Sequence, residues 1–121
     1  MVIEMKFHYI YDWSLDLLNF SCVEPFKFKR SIEIDEGIFL DFDENGLPVA
    51  LELIGASKIL HVQSKRLIDS DFKVHIQISK SLTKIEIKVS FSIKLEQLEF
   101  AVKKEISNDY LLPALDVVIT N

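Results

Sequence analysis

The acidic segment from Asp41 to Glu52 carries the one complete metal-binding expression in the sequence. Its oxygen-bearing side chains stand at the first, third, fifth and twelfth positions, and a glycine stands at the sixth, which is the spacing of an EF-hand calcium loop. These residues are Asp41, Asp43, Asn45, Gly46 and Glu52. Calcium prefers oxygen ligands, so weak binding of calcium, another ion or a small ligand at this segment is one functional hypothesis.

The residues around that segment favour a β-hairpin over an EF-hand. An EF-hand loop lies between two helices, whereas Ile38–Phe42 and Leu47–Leu53 alternate as strands do. A turn over Asp43–Gly46 would place Glu52 well down the returning strand, out of reach of Asp43. We therefore predict a hairpin with solvated acids, and we predict neither a metal site nor a cofactor.

The remaining chemistry-bearing side chains are scattered along the chain. His8, His61 and His75 lack the close spacing of metal ligands, and Cys22 is a single cysteine without an obvious base beside it. The sequence contains no G-x-S-x-G elbow and no glycine-rich phosphate loop. A hydrolase or transferase built from His75 and Glu86 is an alternative that requires the fold to assemble a site. The sequence favours a protein that is not an enzyme.

Two further features could bind a macromolecule. Alternation places Phe26 and Phe28 on one strand face and the basic side chains of Lys27–Arg30 mainly on the other, so the latter are predicted to be solvated surface. Trp13 lies at a predicted turn beside Asp12. Its indole either covers the edge of the core or, if exposed, anchors a protein partner.

Alternation of apolar and polar residues predicts most of the chain as antiparallel strands joined by hairpins. In the first half, the strands are predicted at 7–11, 18–20, 28–34, 38–42 and 47–53. A glycine ends the short connection Asp35–Gly37, where a left-handed residue is expected. In the second half, residues 74–78 and 85–95 predict a hairpin over 80–83, and 115–119 predicts a last strand. The predicted register sets Ile78 against Ile85, Ile76 against Ile87 and His75 against Lys88.

Two segments have helical features. Ser57 is a predicted N-cap for a helix near 58–67. Residues 95–106 have apolar side chains at helical spacing and a Glu99–Lys103 pair, but Phe100 and Val102 also fit a strand, so both structures stay open there. The predicted fold class is α+β, mainly antiparallel β. Successive hairpins form one or two packed sheets with one or two short helices.

Length and composition predict a single globular domain over 1–121. The chain has 121 residues, of which 49% are hydrophobic and 27% charged, with a net charge of −5. We divide it into a hairpin region at 5–57, a connecting helix at 58–68 and a second β/α half at 70–121. Because the net charge is negative, we do not expect the protein to bind nucleic acid. The sequence has no membrane-length apolar run, no signal-peptide pattern and one cysteine, so we expect a cytoplasmic protein.

Three stretches of the first half carry a family resemblance. They are Tyr11-Asp12 with Asp16-Leu17-Leu18 and Phe20, then Gly37-Ile38 with Asp41–Gly46, then Val49–Leu53 with Gly55-Ala56-Ser57. Through them, residues 7–57 resemble a prokaryotic family called domain of unknown function 2283, with Ala50 standing where a glycine is expected. The resemblance brings no established reaction. It implies that some members are small partner-binding proteins of the antitoxin type.

The leading functional hypothesis is a non-catalytic protein that acts by association with protein. Many amphipathic strands leave edges that need to be covered, and two copies can cover each other with twofold symmetry. We therefore expect a homo-oligomer or a small protein partner, with an antitoxin-like role as the form implied by the resemblance.

Overall fold

A computed structural model describes residues 1–121, which form nine strands and two short helices. The elements in chain order are β1 (Ile3–Asp12), β2 (Leu17–Cys22), β3 (Phe28–Asp35), β4 (Ile38–Asp43), β5 (Pro48–Ile54), α1 (Ala56–Leu60), α2 (Ser64–Leu67), β6 (Asp71–Ile78), β7 (Leu82–Ile93), β8 (Glu96–Ser107) and β9 (Leu115–Thr120). The prediction of a mainly antiparallel β chain with short helices is confirmed. Alternating side chains decide it, because they give each strand one apolar face.

All nine strands belong to one curled sheet with the order β3-β4-β5-β2-β1-β9-β6-β7-β8. Neighbouring strands are antiparallel except β1 and β9, which run parallel. The sheet curls until its edge strands β3 and β8 approach each other, and Lys104 Nζ lies 3.1 Å from Asp35 Oδ2. The parallel pair joins the N-terminal hairpins to the second half, so both halves share one inner face.

That inner face holds a single hydrophobic cluster of 25 buried residues. Aromatic rings bridge the two halves of the sheet: the Phe72 ring meets that of Phe20 edge-on at 5.0 Å between centroids, and that of Tyr9 at 4.7 Å. Each large apolar side chain that leaves water contributes about 1.5–3 kcal/mol to folding. The outer face of the sheet is left to carry the polar residues and any functional surface.

The helical segment predicted near 58–67 is two short helices. The left-handed His61, with φ of 56°, ends α1, and the chain resumes helical geometry at Ser64. The expected capping role of Ser57 is wrong: α1 begins at Ala56, Gly55 precedes it, and the Ser57 hydroxyl bonds to Asp16. Neither helix has the length and apolar character needed to cross a membrane.

The possible helix over 95–106 is wrong, and the strand alternative is correct. β8 pairs with β7 along its whole length, from Glu96–Ile93 to Ser107–Leu82. Lys94 and Leu95, both with positive φ, form the two-residue turn between these strands. Apolar residues four apart share a helix face, but four is also a multiple of two, so they share a strand face equally well.

The hairpin of β6 and β7 is confirmed, but its predicted register is wrong by two residues. The observed pairs are Ile78–Thr83, Ile76–Ile85 and His75–Glu86 instead of Ile78–Ile85, Ile76–Ile87 and His75–Lys88. A shift of two leaves every side chain on its face, so alternation cannot detect it. The turn decides the register, because Ser79 N donates to Leu82 O at 2.8 Å and Leu82 N donates to Ser79 Oγ at 3.1 Å.

Candidate functional site

The acidic segment forms the predicted hairpin between β4 and β5. The Asp43 carboxylate is part of its turn: Oδ1 accepts the backbone N–H groups of Asn45 and Leu47, each at 2.9 Å. Gly46 has the left-handed φ of 81° that completes the turn. One oxygen of the proposed ligand set is therefore committed to holding the backbone.

The other candidate ligands lie on the outer face of the sheet. Asp41 is paired with Ala50, and Glu52 is paired with Phe39, so the two carboxylates are diagonal neighbours on β4 and β5. Such neighbours are about 7–8 Å apart at the backbone. The structure contains no group of three or more His, Cys, Asp or Glu side chains positioned to hold a metal ion.

Three rows of side chains cross the outer face of the first half of the sheet. They run Ser31–Asp41–Ala50–Ser21–His8, Glu33–Phe39–Glu52–Asn19–Ile10 and Ile54–Leu17–Asp12. Apart from the one histidine, every ionisable side chain in these rows is an acid, and none is lysine or arginine. The rows therefore combine carboxylates with apolar side chains that point away from the core.

The turn between β1 and β2 extends this surface with two large apolar side chains. Trp13 is 71% exposed and Leu15 is 67% exposed. The Asp12 carboxylate fixes the turn, because Oδ1 accepts the Ser14 hydroxyl at 2.6 Å and the Ser14 N–H at 3.0 Å. We call the three rows together with Trp13 and Leu15 the acidic–apolar face. Trp13 thus takes the exposed position that a partner anchor requires.

Sequence reasoning missed most of the apolar members of this face. Ile10 and Ile54, 69% and 51% exposed, point outward beside inward-facing neighbours, and Leu17 does so next to Leu18. The signal was present as consecutive apolar residues, Tyr9–Tyr11, Leu17-Leu18 and Leu53-Ile54. Where such a run replaces alternation, a strand presents apolar side chains on both of its faces.

A second cluster of polar groups surrounds His75 on the outer face of the other half. His75 Nε2 lies 2.6 Å from Asp116 Oδ1, and its strand pairs His75 directly with Glu86. Lys103 Nζ is 3.4 Å from Glu86 Oε2. The hydrogen bond with His75 holds the pKa of the Asp116 carboxyl below its usual range. No local pattern in the sequence pointed to Asp116, which is 41 residues away from its partner.

The depression beside His75 has a volume of about 410 Å³. Its lining residues are His75, Gln77, Lys84, Ile85, Glu86, Lys103, Lys104 and Glu105. The fold thus brings the hypothesised pair of His75 and Glu86 together. The lining contains no serine, threonine or cysteine that the imidazole could activate, so the arrangement offers a base without a side-chain nucleophile of that kind.

The other candidate residues lie apart from one another. His8 is on the outer face of β1, and His61 ends α1. Cys22 is a free cysteine at the end of β2. Lys27 and Phe28 are both exposed at the start of β3, so the basic segment is solvated.

A cluster around Asp16 fastens the β1–β2 turn to the start of α1. The Asp16 carboxylate accepts the Tyr11 hydroxyl at 2.6 Å, the Ser57 hydroxyl at 2.7 Å and the Ser57 N–H at 3.0 Å. Its backbone oxygen accepts the N–H groups of Gly55 and Ala56, both at 3.0 Å. We call this arrangement the Asp16 tie.

The Asp16 tie shifts the ionisation of both acidic groups that it contains. Burial raises the pKa of Asp16, but hydrogen bonds from Ser57 and Tyr11 outweigh that effect, so the pKa lies below its usual range. Burial and the adjacent carboxylate raise the pKa of Tyr11 to about 12. The ionised carboxylate and the neutral phenol are therefore the forms that the fold stabilises.

Comparison with known proteins places these features in a family. Residues 8–57 match the family described as protein of unknown function (DUF2283). Over 117 residues the chain is 32% identical to uncharacterized protein MJ0789 of Methanocaldococcus jannaschii, with 94% of this chain and 91% of that protein aligned. The chain belongs to the DUF2283 family. No solved structure matches it.

The residues that match the DUF2283 family have identifiable structural roles in this fold. Its opening stretch supplies Tyr11 and Asp16, and its closing stretch supplies Gly55, Ala56 and Ser57, which meet in the Asp16 tie. Its middle stretch supplies the β4–β5 turn. The family residues therefore build the frame that displays the acidic–apolar face, and the similarity to the Methanocaldococcus protein extends into the second half of the chain.

Proposed function

We propose that this DUF2283 protein acts without catalysis, by binding a segment of another protein that is both cationic and apolar. The acidic–apolar face is the binding surface. The observation that carries the proposal is the coincidence of exposed large apolar side chains with charges of one sign. Either property alone is common on protein surfaces, whereas together they define the chemistry of an occupant.

The apolar part of the face has the character of a binding anchor. Tryptophan is enriched among the residues that dominate interface energies, and it loses few rotamers when it is covered. Trp13 is displayed by a turn that the Asp12 carboxylate already holds in place. Because this turn is preorganised, ordering it on binding adds little entropic cost.

The charge of the face selects between two kinds of occupant. A second copy that used the same face would bring carboxylates such as Asp41 and Glu52 towards their equivalents, which repel each other. A lysine- or arginine-rich segment would instead meet opposite charges. The face therefore favours a different, basic protein chain over self-association at this surface.

The proposal also includes a biological role and a cellular location. An antitoxin-like role is supported by the small size of the chain and by a surface suited to covering a basic protein. A cytoplasmic location is supported by Cys22, which is a single and unpaired cysteine.

Calorimetry with defined peptides tests the proposal. The probe is a helical leucine–lysine peptide with segregated faces, and the control peptide has the same composition in scrambled order. We expect the segregated peptide to bind the wild-type protein, and we expect the double variant Glu33→Lys/Glu52→Lys to bind it about tenfold more weakly. Absence of binding to the wild type, or equal affinity for the double variant, would contradict the proposal.

A further inference from the structure

The two edges of the sheet are protected to different degrees. Edge strands expose unpaired backbone groups, and proteins commonly blunt them with bulges, prolines or lysines. β3 has register shifts at Phe28/Arg30 and at Glu33/Asp35, and Pro25 and Lys27 lie just before it. β8 has no register shift and no proline, since it forms twelve consecutive pairs with β7; its two lysines, Lys103 and Lys104, both lie in its second half.

Only one end of β8 is covered by the opposite edge. The chain of pairings makes β3 and β8 antiparallel, and the two meet where Lys104 contacts Asp35, the last residue of β3. The part of β8 before Lys104 therefore extends past the end of β3. Helix α1 also lies next to β8, and its Lys58 and Ile59 line a depression together with Lys104. In the part of β8 before Lys104, Glu99, Phe100 and Ala101 are exposed.

We propose that this exposed part of β8 pairs with β8 of a second copy, antiparallel, about a twofold axis at Ala101. The five residues Glu99–Lys103 of each chain form the added ladder. The inference goes beyond the proposed function, since it uses the backbone edge of β8 and none of the residues of the acidic–apolar face.

The side chains of β8 are self-complementary in this register. Glu99 of each copy stands opposite Lys103 of the other, so two ion pairs form, and Phe100 stands opposite Val102. Oppositely charged and aromatic–β-branched pairs are favourable across antiparallel strands. The small Ala101 side chain lies at the axis. A register centred on Glu99 would oppose two glutamates, and one centred on Phe100 would leave Glu99 facing alanine.

Charge reversal tests the pairing with matched variants. In Glu99→Lys both cross-strand pairs become lysine–lysine, and in Lys103→Glu both become glutamate–glutamate. A mixture of the two variants restores two opposite-charge pairs in a heterodimer. Sedimentation equilibrium at up to about 0.5 mM chain is expected to show dimer for the wild type, at least tenfold weaker association for each variant alone, and dimer for the mixture.

The controls separate pairing from folding. Glu44→Lys makes the same charge change in the exposed β4–β5 turn and is expected to dimerise like the wild type. Glu99 makes no ion pair within the chain, so Glu99→Lys tests the interface even if Lys103→Glu, which loses Glu86, unfolds. Circular dichroism checks the fold of each variant. A monomeric wild type, or a dimer that folded Glu99→Lys leaves intact, would overturn the inference.

Discussion

Asp16 and Ser57 are 41 residues apart in the chain, yet the Ser57 hydroxyl donates a 2.7 Å hydrogen bond to the Asp16 carboxylate. The backbone N–H of Ser57 donates to the same side chain at 3.0 Å. The pair joins the turn after β1 to the first residues of α1. Because Trp13 and Leu15 lie in that turn, the contact also helps to fix the acidic–apolar face in place.

Replacing Asp16 by asparagine should destabilise the protein by about 1–2 kcal/mol. Asparagine tolerates the left-handed backbone of this position, where φ is 51°, so the change tests the carboxylate rather than the backbone. Hydrogen bonds to a charged group contribute more than neutral ones. Urea unfolding of Asp16→Asn, Ser57→Ala and the double variant should give a coupled, non-additive loss. Simple additivity of the two single changes would show that the bond contributes nothing of its own.

The stability of the protein should fall in acid partly because Asp16 takes up a proton. The pKa of Asp16 is lower in the folded protein than in the unfolded chain, so its contribution is present above the unfolded pKa and is lost as pH falls through the folded pKa. The difference in unfolding free energy between wild type and Asp16→Asn should therefore shrink between about pH 7 and about pH 2.5. A difference that stays constant over this range would contradict the assignment.

Thr83→Val should stabilise the protein by about 1 kcal/mol. The Thr83 hydroxyl is buried on the inner face of the sheet and has no hydrogen-bond partner, so its desolvation is uncompensated. Valine has the same shape without the polar atom. Thr120→Val, at an exposed position of β9, is the control and should change the melting temperature little. Destabilisation by Thr83→Val would show that the hydroxyl has a partner after all.

Two glycines with nearly the same backbone conformation should respond differently to alanine. Gly37 has φ of 79° and Gly55 has φ of 78°, so both alanine variants carry the left-handed penalty of about 1 kcal/mol. A Cβ on Gly37 would also lie 2.6 Å from the backbone oxygen of Ile54, whereas one on Gly55 meets nothing within 4 Å. Chemical denaturation should show Gly37→Ala losing at least twice as much stability as Gly55→Ala. Equal losses would mean that the Ile54 carbonyl moves aside without cost.

Most strands could be predicted from the sequence, because a strand with one buried face alternates apolar and polar residues, and this pattern is visible among neighbouring residues. The β4–β5 hairpin is the clearest case, since alternation on both flanks and Gly46 at the turn agree. The same alternation could not choose the register of β6 and β7, because a slip of two residues leaves every face unchanged. It also left residues 95–106 open between helix and strand.

Contacts between distant segments could not be predicted from one sequence. The parallel pairing of β1 with β9 joins the two ends of the chain, and no local signal specifies it. The Asp16 tie and the contact between His75 and Asp116 each span 41 residues. Trp13 was identified as a candidate anchor, but the face around it required the strand order that brings Ile10, Leu17 and Ile54 to one side.

The fluorescence of Trp13 tests the proposed function most directly, because it is the single tryptophan of the chain and lies within the acidic–apolar face. The measurement is its emission spectrum during titration with the segregated leucine–lysine peptide, which contains no tryptophan. We predict a saturable shift to shorter wavelength as the indole leaves water, and no shift with a leucine–glutamate peptide of the same pattern. An emission maximum that stays constant up to about 1 mM peptide, or one that shifts equally with the acidic peptide, would contradict binding of a cationic, apolar partner at this face.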